Sequence, residues 1–123
     1  MNTPYLSIIT VTFNAESTLG RTFESVSSQS YKGFLEHIII DGASKDHTVE
    51  MANRYKEQHP EIVVTIISEP DKGLYDAMNK GLKLAKGEFV CFMNAGDKFH
   101  NSQTLEDVFG NIDHPEQVGV IYG

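Results

Sequence analysis

Six polar residues lie directly after apolar segments of this 123-residue chain, at the points where β-strands are predicted to end. The carboxyl ends of parallel strands lie at one edge of a sheet, so these residues are expected to converge there. Three of them are carboxylates, which suit a hard divalent cation whose remaining ligands come from phosphate. The six residues are Thr12, Asn14, Glu16, Asp41, Asn94 and Asp97.

Each of these residues also has a purely structural interpretation. Asn14 could cap the first helix, and Glu16 could favour its first turn by opposing the helix dipole. Asp41 and residues 94–97 could serve only as turns. The common placement at strand ends favours a binding site, and the sequence leaves the structural roles open beside it.

Strand and helix patterns alternate along the chain and predict the elements that position this site. Apolar, β-branched runs predict strands near residues 6–13, 36–41, 62–67, 88–93 and 118–122. Apolar residues at helical spacing predict a helix after each of the first four strands. This alternation indicates one α/β domain, comprising the whole chain 1–123, with a mostly parallel sheet.

Two helices carry specific expectations. The first is expected to start close to Asn14 and to bury Leu19 and Phe23. The third is expected to bury one stripe formed by Leu74, Met78, Leu82 and Ala85. Both expectations depend on helical periodicity alone.

The composition is that of a globular domain with an acidic surface. The formal net charge of −7 disfavours nucleic acid as a partner, because a basic face supplies most of that affinity. The single cysteine, Cys91, lies in an apolar run, so no disulfide can form within the chain, and a reducing cytoplasm is compatible with it. No apolar run approaches the ~20 residues that a membrane-spanning helix needs.

Four sequence motifs resemble, in order, those of the family 2 inverting glycosyltransferases. Residues 6–16 are similar to the opening of that family, and residues 40–48 to its Asp-Gly-x-Ser-x-Asp-x-Thr motif. Residues 73–81 resemble its third-helix signature, and residues 94–97 lie where the family has its DXD motif. The resemblance implies a three-layer, Rossmann-like GT-A fold, of which this chain would be the truncated donor-binding portion.

The resemblance also implies how the donor is held. Thr12, Phe13 and Asn14 would hold the uracil and ribose of a UDP-sugar, with Glu16 beside them. Asp41 would accept a hydrogen bond from the imide N–H of the base. Phe13 stands where the family often has a tyrosine, so stacking is kept and a hydroxyl is lost.

The diphosphate end departs further from the family pattern. Asp97 would coordinate Mn²⁺ or Mg²⁺ on the diphosphate. Asn94 and Gly96 stand where acidic residues are usual, so one metal carboxylate remains and the contact to the sugar or ribose is missing or moved to Asn94. Asp76 and Asn79, on the third helix, would flank the donor pocket.

No residue of this chain matches the general base of the family, a carboxylate well beyond the DXD motif. The base deprotonates the acceptor hydroxyl, since a neutral hydroxyl is a weak nucleophile. Glu106, Asp107, Asp113 and Glu116 come too early and have the pattern of solvated charges. The catalytic residue is therefore unassigned and expected beyond residue 123, and transfer by this piece alone is expected to be absent or poor.

The resemblance predicts a bacterial enzyme of polysaccharide synthesis that moves a sugar from a nucleotide donor to a glycan or lipid-linked acceptor. The protein is expected to be cytoplasmic, either free or attached peripherally to the inner membrane. An open sheet edge after Tyr122 suggests a homodimer as a further hypothesis.

Other classes are disfavoured by the residues directly after the first strand. A dinucleotide-binding turn and a P-loop both need glycines there, and residues 12–16 contain none. A receiver domain would need an acidic pair at the same place. A nucleotidyltransferase, which would need a glycine-rich basic loop for triphosphate, and a non-catalytic nucleotide-binding or interaction module are the alternatives left open.

Overall fold

Strands and helices alternate in the computed structural model, which describes residues 5–31, 33–109 and 120–122. The predicted residues 118 and 119 of the last strand, and the charges Asp113 and Glu116, lie outside this part of the chain. In chain order the elements are β1 (Leu6–Thr12), α1 (Leu19–Ser27), β2 (Leu35–Asp41), α2 (Thr48–Gln58), β3 (Val63–Ser68), α3 (Leu74–Leu84), β4 (Phe89–Phe92), α4 (Thr104–Phe109) and β5 (Val120–Tyr122).

The five strands form one sheet in the order β3-β2-β1-β4-β5, and every pairing between neighbours is parallel. The prediction of a mostly parallel α/β sheet is therefore confirmed. From β1 the chain adds β2 and β3 on one side and then β4 and β5 on the other. The order of the strands thus reverses between β1 and β4, where α/β sheets of this kind form a crevice for ligands.

The sheet is covered on both faces, which gives three layers. Ile8 and Ile39 pack with α1, α2 and α4 on one face. Ile9 and Ile38 pack with α3 on the other face. Burial on both sides explains why β1 and β2 are almost continuously apolar rather than alternating.

The buried face of α3 differs from the prediction. Ala77 and Gly81 are buried, whereas Leu74 and Leu82 are 49% and 40% exposed. A Cβ atom on Gly81 would lie only 2.6 Å from Cγ2 of Ile9. Met78 and Ala85 of the predicted stripe do pack against this face of the sheet. The closest contact with the sheet is nevertheless made by the smallest residues of the helix, so a stripe chosen by hydrophobicity alone selects only part of the buried face.

A buried polar cluster lies between the sheet and the α1/α2 layer. Oγ1 of Thr10 is 2.7 Å from Nε2 of His37, and the hydroxyl of Tyr55 is 2.8 Å from Nδ1. The ring of Phe23 stacks on Tyr55 with centroids 4.0 Å apart. Burial lowers the pKa of His37 to about 3, so the imidazole is neutral at physiological pH.

His37 is expected to make the protein less stable in acid. Its pKa is lowered from 6.5 to about 3, so between these values the unfolded chain binds a proton that the folded chain does not. The stability due to the neutral ring is complete above pH 6.5 and falls as the pH drops, by about 1.4 kcal/mol per pH unit. Urea unfolding across this range should show the slope, and His37→Gln should flatten it. The same slope in His37→Gln as in the exposed control His100→Gln would contradict this assignment.

Candidate functional site

Three polar residues lie side by side at the carboxyl edge of the sheet. The parallel register pairs Thr12 at the end of β1 with Asp41 at the end of β2, and Asp41 with Ser68 at the end of β3. Asp41 is only 1% exposed although it ends its strand. The register therefore brings together residues that are far apart in sequence, as the strand-end pattern predicts for Thr12 and Asp41.

The Asp41 carboxylate is satisfied entirely by this chain. Oδ1 accepts hydrogen bonds from the hydroxyls of Thr12 (2.7 Å) and Ser44 (2.5 Å). Oδ2 accepts from the Ser44 N–H and the Ser68 hydroxyl, both at 2.8 Å. Burial alone would raise the pKa of Asp41, but the bonds from Ser44, Thr12 and Ser68 outweigh it and lower the pKa. A carboxylate accepts about four hydrogen bonds, so both oxygens are fully used.

The loops that follow β1 and β2 are joined by backbone-to-side-chain hydrogen bonds. Three successive N–H groups of the first loop donate to three side chains of the second, which accounts for the serine, aspartate and threonine of the motif at residues 40–48. Backbone N–H groups in an irregular loop have no regular backbone partner, and these three side chains supply the missing acceptors. The bonds run from Asn14 N to Ser44 Oγ (2.7 Å), Ala15 N to Thr48 Oγ1 (2.8 Å) and Glu16 N to Asp46 Oδ2 (3.2 Å).

Asn14 and Glu16 have their side chains in this same loop contact. Asn14 has a left-handed φ of 47° and accepts a bond from the Lys45 N–H at 2.9 Å. The prediction that Asn14 caps α1 is wrong, because the helix begins only at Leu19. Oε2 of Glu16 lies 2.9 Å from Nδ1 of His47 on the surface, and this hydrogen bond raises the pKa of the imidazole.

An exposed aromatic ring lies beside these loops. Phe13 is 66% exposed, directly after β1. A methyl group placed on Gly42 would lie 3.5 Å from Cδ1 of Phe13 and 2.9 Å from Oδ2 of Asp71. Asp71 therefore belongs to the site, and the sequence analysis missed it. The same strand-end rule could have found it, since Asp71 follows β3.

The loop between β3 and α3 is held by side chains of α3. Oδ2 of Asp76 accepts a bond from the Lys72 N–H at 2.9 Å, and this bond lowers the pKa of the carboxyl group. Nζ of Lys80 lies 3.2 Å from the Glu69 carboxylate and 3.6 Å from that of Asp76. Asp76, predicted to flank the donor, thus fixes the loop that carries Asp71, and Asn79 is exposed on the same helix.

A turn anchored to α1 follows β4. Asp97 Oδ2 accepts a bond from the Asn94 N–H, and the Asp97 N–H donates to the Asn94 carbonyl, both at 2.9 Å. The Thr22 hydroxyl accepts from the Gly96 N–H and donates to the Asp97 carbonyl. Gly96 has a φ of 97°, which favours glycine. Asn94 and Asp97 are therefore adjacent and rigidly placed across the strand-order reversal from β1.

The turn fits a cation that arrives with a phosphate ligand. Within the described residues, no group of three or more His, Cys, Asp or Glu side chains could hold a metal ion. Asp97 is half-buried, and its Oδ1 accepts no hydrogen bond from the described part of the chain. One carboxylate together with substrate phosphates is a common way for proteins to bind Mg²⁺.

Two grooves of the described structure lie away from these loops. One of about 430 Å³ runs between α1 and α2 and is lined by Phe23, Met51 and Tyr55. Another of about 300 Å³ lies between α1 and residues 98–102. Neither groove is lined by a predicted site residue, and the candidate site lies instead in the loops at the carboxyl edge of the sheet.

These features define a doubly wound parallel α/β domain with an open ligand edge at the reversal of strand order. The model of the family described as glycosyl transferase family 2 matches residues 7–123. The chain belongs to glycosyltransferase family 2. The resemblance to the family 2 glycosyltransferases is thus confirmed.

Two curated relatives show how much of a longer protein this chain corresponds to. It is 34% identical over 120 residues to an uncharacterised glycosyltransferase of Mycobacterium tuberculosis, covering 98% of this chain and 44% of the relative. It is 36% identical over 92 residues to the Escherichia coli protein WfaP, a UDP-Glc:α-D-GlcNAc-diphosphoundecaprenol β-1,3-glucosyltransferase, covering 75% and 35%. The chain thus spans less than half the length of these relatives.

Solved structures confirm the GT-A fold. The mannosyltransferase PcManGT of Pyrobaculum calidifontis, in complex with GDP-Man and Mn²⁺, has a TM-score of 0.76 at 27% identity and covers 83% of this chain and 30% of that one. Residues 1–349 of Staphylococcus aureus TarS, in complex with UDP-GlcNAc, also have a TM-score of 0.76 at 27% identity, covering 85% and 30%.

Proposed function

We propose that this chain is the donor-binding part of a glycosyltransferase that moves a sugar, with inversion, from a UDP-sugar to a glycan or lipid-linked acceptor in bacterial polysaccharide synthesis. The observation that carries the proposal is the pair of rigid loops across the strand-order reversal, with exposed Phe13 after β1 and Asp97 after β4. An aromatic face suits a base, and a carboxylate suits a cation on diphosphate.

The relatives support the choice of donor and acceptor class. The structural neighbour TarS was solved with UDP-GlcNAc, and WfaP is named for a UDP-glucose donor and a diphosphoundecaprenol-linked acceptor. The neighbour PcManGT was solved with GDP-Man and Mn²⁺. These names support the proposal that this chain also binds a nucleoside diphosphate sugar together with a divalent cation.

Each site residue has a place in the proposal. Phe13 offers a stacking face to uracil, and Thr12 and Asn14 lie where the base and ribose would be held. Asn94 lies in the turn of Asp97 and would contact the sugar or ribose of the donor. Glu16, Asp41 and Asp76 form the pocket mainly by fixing its loops, since their carboxylates already bind within the chain.

A cation bound at Asp97, Mn²⁺ or Mg²⁺, would supply positive charge to the diphosphate as it leaves. The chain's own contribution is to fix that carboxylate: the Asn94 N–H donates to it within the turn, and the Thr22 hydroxyl holds the turn against α1. The general base that activates the acceptor hydroxyl is expected outside residues 1–123, in keeping with the longer relatives.

Location and assembly are further parts of the proposal. No helix within the described residues is long and apolar enough to cross a membrane. A cytoplasmic location, with peripheral attachment to the inner membrane, would suit an enzyme that uses a nucleotide sugar and a lipid-linked acceptor. Homodimerisation through the β5 edge of the sheet would be checked by a solution mass measurement.

Titration of UDP into the protein by calorimetry tests the proposal. UDP is expected to bind in the presence of Mn²⁺ and to lose most of its affinity without it, whereas ADP binds weakly under both conditions. Phe13→Ala should weaken UDP by about tenfold or more, since stacking on an aromatic ring contributes roughly 1–3 kcal/mol per base. Phe34→Ala is the matched control, because Phe34 is also exposed (54%) and lies before β2. Equal affinities for the two variants would refute the placement of the base, and metal-independent binding would refute the role of the cation.

A further inference from the structure

We infer that Asp71, rather than Asp41, accepts the hydrogen bond from the base and selects uridine over cytidine nucleotides. The inference rests on the proposed function, because it assumes that a nucleotide base lies on Phe13. It assigns recognition of the base to a residue of the loop after β3. Asp41 is then a positioning residue.

Asp41 has no acceptor capacity left for a ligand. Its two oxygens accept four hydrogen bonds from Thr12, Ser44 and Ser68. The bonds hold together the ends of three strands and the start of the β2 loop, and the carboxylate is 1% exposed. A base could bond to Asp41 only by reaching this buried carboxylate and displacing one of these donors, which would break a bond that joins the strand ends.

Asp71 has an acceptor in the required place. Oδ1 accepts a bond from the Gly73 N–H at 3.1 Å, which orients the carboxylate. Oδ2 accepts no hydrogen bond from the described residues. A Cβ atom on Gly42 would lie 2.9 Å from this oxygen and 3.5 Å from Cδ1 of Phe13, so the oxygen and the exposed ring lie beside the same residue. The carboxylate is also rigidly carried, because Asp76 and Lys80 hold its loop to α3.

The chemistry of the base edge then decides specificity. The ring N3 of uracil carries a hydrogen and can donate to a carboxylate. The ring N3 of cytosine carries a lone pair, which would face the negative oxygen of Asp71 with no proton between them. A site built to receive a donor rejects an analogue that lacks it, because its own polar group is left unpaired.

Gly42 provides the space that this arrangement needs. A methyl group at this position would lie 2.9 Å from Oδ2 of Asp71, closer than such atoms approach without a shift. The atom that such a methyl group would meet is at the end of a side chain that is only partly buried, so Gly42→Ala should move the carboxylate without unfolding the domain. This substitution therefore tests the position of the Asp71 carboxylate while leaving the residue itself in place.

The ratio of UDP to CDP affinity, measured by calorimetry with Mn²⁺, tests the inference. Asp71→Asn should lower this ratio by about tenfold or more, since an amide can donate to cytosine N3 as well as accept from uracil. Gly42→Ala should lower the ratio in the same direction. Asp41→Asn should weaken both nucleotides to a similar extent and leave the ratio nearly unchanged. Asp107→Asn, an exposed change on α4, is the matched control.

The outcomes separate this inference from the proposed function. UDP binding with an unchanged ratio in Asp71→Asn and Gly42→Ala would overturn the role of Asp71 alone. If the ratio of UDP to CDP affinity falls in Asp41→Asn but not in Asp71→Asn, then Asp41 rather than Asp71 recognises the base. Failure of the unaltered protein to bind either nucleotide would overturn the donor site and the inference with it.

Discussion

Replacing Asp97 with asparagine is expected to weaken Mn²⁺-dependent UDP binding by about 100-fold, while the fold stays intact. Asp97 is the only carboxylate of the turn after β4, and its Oδ1 faces no donor within the described residues. Removing one partner of a close charge pair commonly costs about 2–5 kcal/mol, and about 2.7 kcal/mol corresponds to 100-fold. Calorimetric titration of UDP with and without Mn²⁺ gives the measurement.

The asparagine variant separates the charge from the turn. Its amide oxygen can still accept the bond from the Asn94 N–H, so residues 94–97 should keep their conformation. Thermal unfolding should accordingly be close to that of the unaltered protein. Asp107→Asn controls for a change of net charge. If Asp97→Asn binds UDP as tightly as this control in the presence of Mn²⁺, the assignment of Asp97 to the cation is wrong.

Asp41→Ala is expected to have the largest effect on stability of any site substitution, a loss on the order of 3 kcal/mol. The change removes the shared acceptor of Thr12, Ser44 and Ser68, and it leaves the buried Thr12 hydroxyl and the partly buried Ser44 N–H without that partner. The loops after β1 and β2 should then separate, and UDP binding should be lost with them. Urea unfolding measures the first effect and calorimetry the second.

A graded control distinguishes this network from a general effect of mutation. Ser68→Ala removes only one of the four bonds to Asp41, so it should cost about 1 kcal/mol and keep UDP binding. Asp46→Ala removes bonds to the Glu16 N–H and to Thr48 on the exposed side of the loop. Losses of equal size in Asp41→Ala and Ser68→Ala would show that the four bonds do not act together.

The strand-end pattern predicted much of the site. Thr12 and Asp41 are neighbours in the register, and Asn94 and Asp97 share one turn, as their positions after strands imply. Such placement can be predicted because the period of a strand and its apolar run are local properties of the sequence. Their binding roles stay predictions, which the titrations of the variants would test.

The predictions that differ from the structure also have physical causes. The predicted α3 stripe was wrong for Leu74 and Leu82, because the helix lies so close to Ile9 that Gly81 is needed at the contact, and periodicity does not encode the distance between helix and sheet. Asn14 does not cap α1 because the loop after β1 continues to Leu19, held by bonds to the loop after β2.

The sequence by itself determined the alternation of elements, the parallel sheet and the edge at which polar residues gather, since local periodicity and turn residues encode all three. Only the tertiary structure decided which donors each carboxylate receives. Asp41 is enclosed by residues from three strand ends, whereas Asp71 keeps an oxygen beside Phe13 and Gly42. The reason is that hydrogen-bond partners at a sheet edge depend on strand register and loop conformation, which join residues about 30 positions apart in the chain.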